Sequence, residues 1–267
     1  YDPLNRLKKI KYPDATENVQ YNYGKLSRLQ KAIDETGTVD FNYTQRDQVS
    51  SVLDVHGQKV GYSYDATGNR RFLRLNDVDQ FDHRSDKANR LQKIIDKQNG
   101  DATIDFNYDK ANRMRRIIRP NGVDTTYQYD GMSRLKVLRD FQTTGTGSIN
   151  RRVFTYNNAS QISNIKNKQD NRTFAYDNID RLTGVTGSVV ESYAYDQVGN
   201  RTGSHQSATY TTSGFNRLTA TANATYSYDA NGNMLSKVDS IGTWTYEWDF
   251  ENRLNKVTRP DGESVSY

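Results

Sequence analysis

The 267-residue sequence contains no cysteine, only four prolines and three histidines, and no long apolar run. Without cysteine, the chain can form neither a disulfide framework nor a thiolate metal site. Without a long apolar run, the sequence predicts no transmembrane segment and no signal peptide. Hydrophobic residues make up 34% of the chain, and the mean hydropathy is -0.95. These values exclude an ordinary apolar core as the source of order.

Aromatic residues, in contrast, are abundant. The chain has 19 tyrosines and an aromatic fraction of 11%. Each ring can bury a large area while a tyrosine hydroxyl still finds a hydrogen-bond partner, so we expect order to come from regularly placed aromatics. The formal net charge is +5, which permits an anionic partner, and the positions of the arginines decide whether one is expected.

One phrase recurs along the whole chain. The segment FNYDKANRMRRI at residues 106–117 is followed by YQYDGMSRLKVL at residues 127–138. A period near twenty residues over the whole length indicates a repeat architecture. The first residue of the phrase, which we call the opening position, occurs thirteen times at intervals of 16 to 27 residues: Tyr1, Tyr23, Tyr43, Tyr64, Ser85, Tyr108, Tyr129, Tyr156, Tyr176, Tyr195, Thr212, Tyr228 and Trp248.

Each repeat is predicted to be a β-hairpin. In every repeat after the first, an aromatic residue or, once, His83 stands two residues before the opening position, as Phe154 does before Tyr156. A spacing of two puts both rings on the same face of a strand, so the pair marks a strand with one buried face. A leucine and an isoleucine spaced by three, such as Leu91 and Ile94, predict a β-bulge or a late strand start. The hairpins together give roughly 26 antiparallel strands, and an open sheet of that size must curl.

Dipeptides of asparagine or aspartate with glycine lie between strands and predict two-residue turns in which both central residues have positive φ. They are Asn99-Gly100, Asn121-Gly122 and Asp261-Gly262. Residues 141–149 are predicted to form a lengthened hairpin loop, and the repeats between residues 183 and 225 are short and degenerate. The fold class is therefore all-β, and residues 1–267 are expected to form a single array of about thirteen hairpin units.

The phrases YDPLNRL, YDATGNR, YDNIDRL, YDQVGNR and YDANGNM resemble the YD or Rhs repeats. Such repeats occur in bacterial Rhs toxins, in the B and C components of insecticidal toxin complexes, in wall-associated bacterial proteins and in teneurins. The resemblance implies antiparallel hairpins that wind as a spiral, β-solenoid-like sheet into part of a hollow shell. In the toxins, a DPxGL-type segment closes the shell and contains an aspartate-dependent self-cleavage site. This sequence lacks that segment. We therefore expect the chain to be a fragment of a longer shell.

The recurrent arginines could form a phosphate-binding stripe, but each occupies one fixed slot of a turn motif. The second residue of that motif is usually aspartate, as in Asp109, Asp130, Asp177 and Asp249, so a repeating Asp-Arg ladder between stacked turns explains the same residues. No specific nucleic-acid partner is predicted. The arginines in this slot include Arg6, Arg28, Arg90, Arg113, Arg134, Arg181, Arg217 and Arg253.

No catalytic, cofactor-binding or metal-binding residue is predicted. The histidines, His56, His83 and His205, have no second ligand at metal-like spacing, and His83 is expected to be a strand residue. The segment Asp229-Ala230-Asn231-Gly232-Asn233 faintly resembles a calcium loop but lacks the later bidentate glutamate. An active site needs unlike residues at one point, whereas a repeat array shows the same residue at each step. We therefore expect this chain not to be an enzyme.

By resemblance, the leading interpretation is a non-catalytic structural shell segment of a secreted Rhs-type bacterial protein. Such a shell encapsulates or delivers a C-terminal toxin domain of the same longer polypeptide, with secretion machinery or surface proteins as further partners. The expected location is outside the cell or at its surface. The alternative is a cell-surface adhesion module that recognises carbohydrate or protein through outward Tyr, Asn and Thr side chains. A toxin domain after a DPxGL segment in the full-length gene favours the first, and a wall anchor or membrane segment favours the second.

Overall fold

The computed structural model describes residues 1–12, 18–144 and 147–267, which contain 26 β-strands and no helix. The prediction of an all-β chain with about this number of strands is confirmed. By its internal contacts the chain divides into two compact parts, Tyr1–Arg151 and Arg152–Tyr267, which we call unit 1 and unit 2 and describe separately. That residues 1–267 form a single array stays a prediction.

The strands of unit 1 are β1 (Lys9–Ile10), β2 (Val19–Tyr23), β3 (Leu29–Asp34), β4 (Gly37–Tyr43), β5 (Val49–Leu53), β6 (Lys59–Tyr64), β7 (Arg70–Leu75), β8 (Val78–Ser85), β9 (Leu91–Asp96), β10 (Ala102–Tyr108), β11 (Met114–Ile118), β12 (Val123–Tyr129) and β13 (Leu135–Gln142). The next strand, β14 (Ser148–Tyr156), ends in unit 2. The remaining strands of unit 2 are β15 (Ile162–Lys166), β16 (Asn171–Tyr176), β17 (Leu182–Thr186), β18 (Glu191–Tyr195), β19 (Arg201–Ser204), β20 (Tyr210–Thr212), β21 (Leu218–Thr221), β22 (Ala224–Tyr228), β23 (Met234–Asp239), β24 (Gly242–Trp248), β25 (Leu254–Thr258) and β26 (Ser264–Ser266).

Strands pair with their neighbours in the sequence. In unit 1, every consecutive pair from β1 to β13 is antiparallel. In unit 2, the same holds from β14 to β19 and again from β20 to β26. Among the described residues no backbone ladder joins β19 to β20, and β20 opens a separate seven-stranded sheet. This interruption lies within the stretch where the sequence predicts short, degenerate repeats.

A β-bulge follows each opening position from Tyr23 onward, as the leucine spacing predicts. Tyr108 lies opposite Met114, whereas Asn107 lies opposite Arg116, so Arg115 is an extra residue without a partner across the ladder. The same shift of register occurs in the other hairpins of both units. The second strand of each hairpin also begins at the leucine position, as β11 does at Met114. The predicted β-bulge and the predicted late strand start therefore occur together.

The sheet of unit 1 has an aromatic face and a polar face. Residues that lie directly opposite each other in a ladder share a face. On the aromatic face, Phe106 lies opposite Ile117, which in turn lies opposite Thr125. On the polar face, Asn107 lies opposite Arg116. Alternation along the strands extends both faces, because successive side chains point to opposite sides.

The most buried side chains of unit 1 lie mainly on the polar face, not beneath the aromatic rings. Asp124 is 0% exposed and Asp82 is 2% exposed, and Ile95 and Val137, at 7% and 6%, share this face. The paired tyrosines, by contrast, are half-buried. The buried face that the aromatic spacing predicts is therefore only half-buried at its rings in unit 1. Long arginine side chains cover the aspartates, because the guanidinium groups of Arg71 and Arg116 on neighbouring strands, and of Arg84 on the same strand as Asp82, form ion pairs with them.

The prediction of two-residue turns was wrong at Asn121-Gly122 and Asp261-Gly262. In both, only the glycine has positive φ, and its N–H donates to the carbonyl three residues earlier, Arg119 at 3.2 Å and Arg259 at 3.0 Å. Each turn instead has a proline in its second position, where a fixed φ near −65° favours an ordinary type I turn.

At Asn99-Gly100, the predicted pair of positive φ values is shifted by one residue, to Gly100 at 57° and Asp101 at 58°. The predicted loop at residues 141–149 is shorter than expected. Strand β13 continues to Gln142 and strand β14 begins at Ser148, while residues 145 and 146 of the predicted loop lie outside the described residues.

Candidate functional site: a ladder of aspartate turns

A four-residue turn begins directly after each opening position. In the repeat that opens at Tyr108, the Asp109 N–H donates to the Arg113 carbonyl at 2.9 Å, and the Asn112 N–H donates to the Asp109 carbonyl at 3.1 Å. Asn112 has a φ of 62°, a conformation that asparagine adopts more readily than most residues. Thirteen turns with these two backbone bonds follow the opening positions in the described residues, and we call them the turn ladder.

The aspartate side chain organises its own turn. One carboxylate oxygen of Asp109 accepts hydrogen bonds from the backbone N–H groups of Ala111 at 2.9 Å and Arg113 at 3.0 Å. The other oxygen accepts a bond from Nε of Arg113 at 2.8 Å. The same pairing of aspartate with the arginine four residues later occurs at Asp2, Asp86, Asp130, Asp177 and Asp249.

Where asparagine replaces that arginine, its amide takes over the bond to the aspartate. Asn200 donates to Asp196 and Asn233 donates to Asp229, each at 2.9 Å. Both turns contain glycine in the positive-φ position, so the turn closes in the same way with or without the ion pair. The geometry therefore depends on the aspartate and the positive-φ residue more than on the arginine.

These hydrogen bonds lower the pKa of the turn aspartates. The side chain of Arg6, followed by the backbone N–H groups of Arg6 and Leu4, lowers the pKa of Asp2 from 3.8 to about 2. The arginine side chains of the same turns likewise lower the pKa of Asp86 and of Asp109. At neutral pH these carboxylates are ionised and fully engaged, which makes them poor general acids or bases.

The arginine of one turn also contacts the next repeat. Nη1 of Arg113 donates to Oγ of Ser133 at 3.0 Å, and its guanidinium lies 4.5 Å from the ring centre of Tyr129. Ser133 is the positive-φ residue of the following turn. Guanidinium contacts with the tyrosine of the next opening position recur for Arg6, Arg28, Arg90 and Arg181.

The tyrosine hydroxyl at the opening position closes the gap left by the bulge. The hydroxyl of Tyr129 donates to the carbonyl of Met114 at 2.8 Å, where the ladder between β11 and β12 has ended. Trp248 makes the equivalent bond to Met234 through Nε1 at 2.7 Å. Further hydroxyls bond in this way at Tyr23, Tyr43, Tyr64, Tyr108, Tyr176, Tyr195 and Tyr228. Sequence reasoning missed this contact, because the separation between the tyrosine and the leucine-slot residue that it bonds varies from 10 to 17 residues.

The eight recurrent arginines all occupy the residue directly after a four-residue turn, so the prediction of one fixed slot in the motif is confirmed. The Asp-Arg ion pair, however, was expected between stacked turns. It lies mostly within one turn, because a separation of four residues folds both side chains onto the same loop. Arg28 is an exception, since Gly24 begins its turn, and Arg28 pairs with Asp47 of the next turn at 2.7 Å.

The other candidate residues are part of the scaffold. His83 is a β8 strand residue, as predicted, and burial lowers its pKa. His56 lies in a turn, and His205 packs edge-on against Tyr193 at 5.6 Å. Asp229 engages Asn233, as in the other turns. In the part of the chain that the structure describes, no three His, Cys, Asp or Glu residues cluster as metal ligands.

The sequence matches a protein family described as Teneurin YD-shell over residues 130–267, just over half of the chain. The chain belongs to the Teneurin YD-shell family. Residues 108–146 also match the RHS Repeat family. These families are structural repeats, so the YD-shell chain has a structural role as part of a shell.

Solved structures share the fold of this YD-shell chain at low identity. The structure of TcdB2-TccC3-TEV is 14% identical with a TM-score of 0.69 over 94% of the chain. A variant Tc holotoxin pore of Photorhabdus luminescens is 16% identical with a TM-score of 0.55 over 92%. TcdB2-TccC3 without its hypervariable C-terminal region is 14% identical with a TM-score of 0.52 over 91%. The chain spans 18%, 14% and 16% of those chains, respectively.

Across the residues that the structure describes, no helix has both the length and the apolarity to span a bilayer.

Proposed function

We propose that this YD-shell chain is a wall segment of a hollow shell that encloses a toxin domain of the same longer polypeptide in a secreted Rhs-type protein. The observation that carries the proposal is the turn ladder itself. Each repeat makes its backbone and side-chain contacts with the next repeat, so the chain extends a wall and does not gather unlike groups at one point. In this proposal the chain has no catalytic role and acts outside the cell or at its surface.

The solved neighbours support enclosure through their fold and through one description. A structure named for the absence of a hypervariable C-terminal region has the same fold over 91% of this chain. A shell that encloses variable segments requires a wall whose polar and charged groups do not depend on the enclosed segment for their partners. The turn ladder meets that requirement, because its carboxylates and guanidiniums are satisfied by one another.

The test is limited proteolysis of the full-length gene product, followed by mass spectrometry of the segment C-terminal to the shell. We expect that segment to survive at least about a hundredfold longer in the full-length protein than when expressed alone, because an enclosed chain is shielded from protease. The segment expressed alone, with its fold checked by circular dichroism, is the control. Equal cleavage rates would contradict enclosure. A wall anchor or membrane segment in place of such a domain would favour the adhesion alternative.

A further inference from the structure

A groove of about 600 Å³ lies on the polar face of unit 1 and contains three arginines. Two of them, Arg115 and Arg116, are consecutive residues that reach the same groove because the bulge at Met114 leaves Arg115 without a cross-strand partner. The third, Arg139, lies opposite Thr126, which lies opposite Arg116. The folded ladders thus bring together cations from residues that are up to 24 positions apart.

Only one of these three guanidiniums has a carboxylate partner in the described residues. Arg116 pairs with the buried Asp124 through Nε at 2.8 Å and through Nη2. Arg139 has a 3.3 Å bond to Oγ of Ser148 and a contact with the ring of Phe141 at 5.2 Å. Arg115 is exposed and makes no hydrogen bond or ion pair in the described part of the chain. The groove therefore has a positive charge of about two that no carboxylate of the described residues balances.

Elsewhere on the polar face, cations face carboxylates across the ladder. Lys31 pairs with Asp40 at 2.9 Å, and Arg74 pairs with Asp79 at 2.6 Å. Lys93 pairs with Asp105 at 3.0 Å in the same way. The groove departs from this pattern, since Arg115 and Arg139 are cations without the facing carboxylate. A ligand that supplies carboxylates would complete the series.

We propose that this arginine groove binds the carboxylates of an acidic peptide segment. Guanidinium groups bind carboxylates in a planar, two-pronged geometry, which suits Arg115 and Arg139. Asn107 and Gln128 also line the groove, and neither side chain makes a hydrogen bond within the described residues, so their side-chain amides are available to a peptide backbone. The groove volume lies in the range of binding sites for small ligands and suits one or two acidic side chains. The proposal does not depend on whether the shell encloses a toxin.

The test measures binding of a labelled peptide of alternating glutamate and serine to the 267-residue chain by fluorescence anisotropy. We expect saturable binding at about 0.15 M salt, and no binding of the matched glutamine and serine peptide. The substitutions Arg115→Gln and Arg139→Gln should each weaken binding about tenfold. Arg116 is left intact, because its removal would leave the buried Asp124 carboxylate without its ion-pair partner.

The matched control is Lys87→Gln, which removes an exposed cation of unit 1 that is outside the groove and makes no ion pair in the described residues. It should change affinity by less than about twofold. Circular dichroism confirms the fold of each variant. Absence of binding, equal binding of the glutamine peptide, or an equal loss in Lys87→Gln would overturn the proposal. Inorganic phosphate that competes more tightly than the glutamate peptide would also overturn it and would identify a phosphate site.

Discussion

The two units have the same turns and bulges, but they differ in the residues of the strands that the turns connect. In unit 1, Phe41 lies opposite Val52, which lies opposite Val60, so an aromatic ring is followed by two aliphatic residues. In unit 2, the corresponding residues opposite Phe174 are Val185 and then Glu191. Unit 1 has 26 Lys and Arg against 20 Asp and Glu, whereas unit 2 has 11 against 12.

This difference shows which part of the repeat specifies the fold. In unit 2, Arg172 and Glu191 are charged at this position whereas Val265 stays aliphatic, and strands β19 to β21 shorten to three or four residues. The backbone bonds of the turn and the shift of register at the bulge persist in both units. Turn chemistry, more than apolar burial, therefore determines where each hairpin begins and ends.

The largest expected effect is acid unfolding, and it should remove the difference between the units. Six described aspartates in each unit have lowered pKa values. An aspartate whose pKa is lower in the folded than in the unfolded state stabilises the fold at pH values above its ordinary pKa of 3.8. This stabilisation is lost as the pH falls through the folded-state pKa, which is about 2 for Asp2.

We therefore expect a small loss of stability as pH falls below about 6.5, because burial lowers the pKa of His83, and a steep loss between about pH 4 and 2. Far-UV circular dichroism follows both units, whereas tryptophan fluorescence follows unit 2, which contains both tryptophans. The two transitions should coincide. A fluorescence transition well separated from the dichroism transition would show that the turns do not stabilise the units equally.

The second prediction concerns the buried aspartate that only unit 1 has at this place in the repeat. Asp124→Ala should lower the free energy of unfolding by about 2–3 kcal/mol, because it leaves the Arg116 guanidinium without its partner. The loss is below that of a fully buried pair, since the Arg116 side chain is 39% exposed and can be hydrated. Urea unfolding followed by circular dichroism measures it.

Asn171→Ala in unit 2 is the matched control, because Asn171, like Asp124, stands five residues before an opening position and is exposed. It should cost less than about 1 kcal/mol. Equal costs at the two sites would show that burial of Asp124 contributes no stability of its own.

The third prediction tests the positive-φ position. Gly199 has a φ of 93°, and no atom lies within 4 Å of the place that a Cβ would occupy. Gly199→Ala should therefore cost about 1–2 kcal/mol through backbone strain alone. Gly131 also has open space but no positive φ, so Gly131→Ala should be neutral or slightly stabilising. A destabilised Gly131→Ala variant would mean that the side chain, not the backbone angle, is the problem.

The smallest effect is the loss of one hydroxyl. Tyr129→Phe should cost about 1 kcal/mol, since it leaves the Met114 carbonyl without its donor. Tyr228→Phe in unit 2 should cost a similar amount, because Tyr228 bonds Leu218 at the same distance of 2.8 Å. Tyr127→Phe is the control, as its hydroxyl makes no hydrogen bond in the described residues. A cost that differs between the units beyond experimental error would contradict a shared turn and bulge chemistry.

The strands and bulges could be predicted from the sequence because both depend on residues close together in the chain. The aromatic spacing of two and the leucine spacing of three define each strand and its bulge locally. The turn type at Asn121-Gly122 was also a local feature, but Pro120 changes its geometry and outweighs the dipeptide.

The arginine groove and the burial of Asp124 could not be predicted in this way. Asp124 lies opposite Phe141, 17 residues later, and Arg139 lies opposite Thr126. A shift of one residue in either register would move these side chains to the other face. Propensities and spacings do not determine register across hairpins of unequal length, so the composition of each face emerges only with the pairing.

Pairing between neighbours in the sequence has a consequence for how the protein is made. In the part of the chain that the structure describes, each strand ladder joins strands that are adjacent in the sequence, so a hairpin needs no residues that are translated much later. Such local contacts allow folding to proceed from the N-terminus while the ribosome is still working. Any polypeptide encoded downstream would then leave the ribosome after these hairpins have folded. The order of synthesis alone would therefore make the hairpins fold before that later polypeptide.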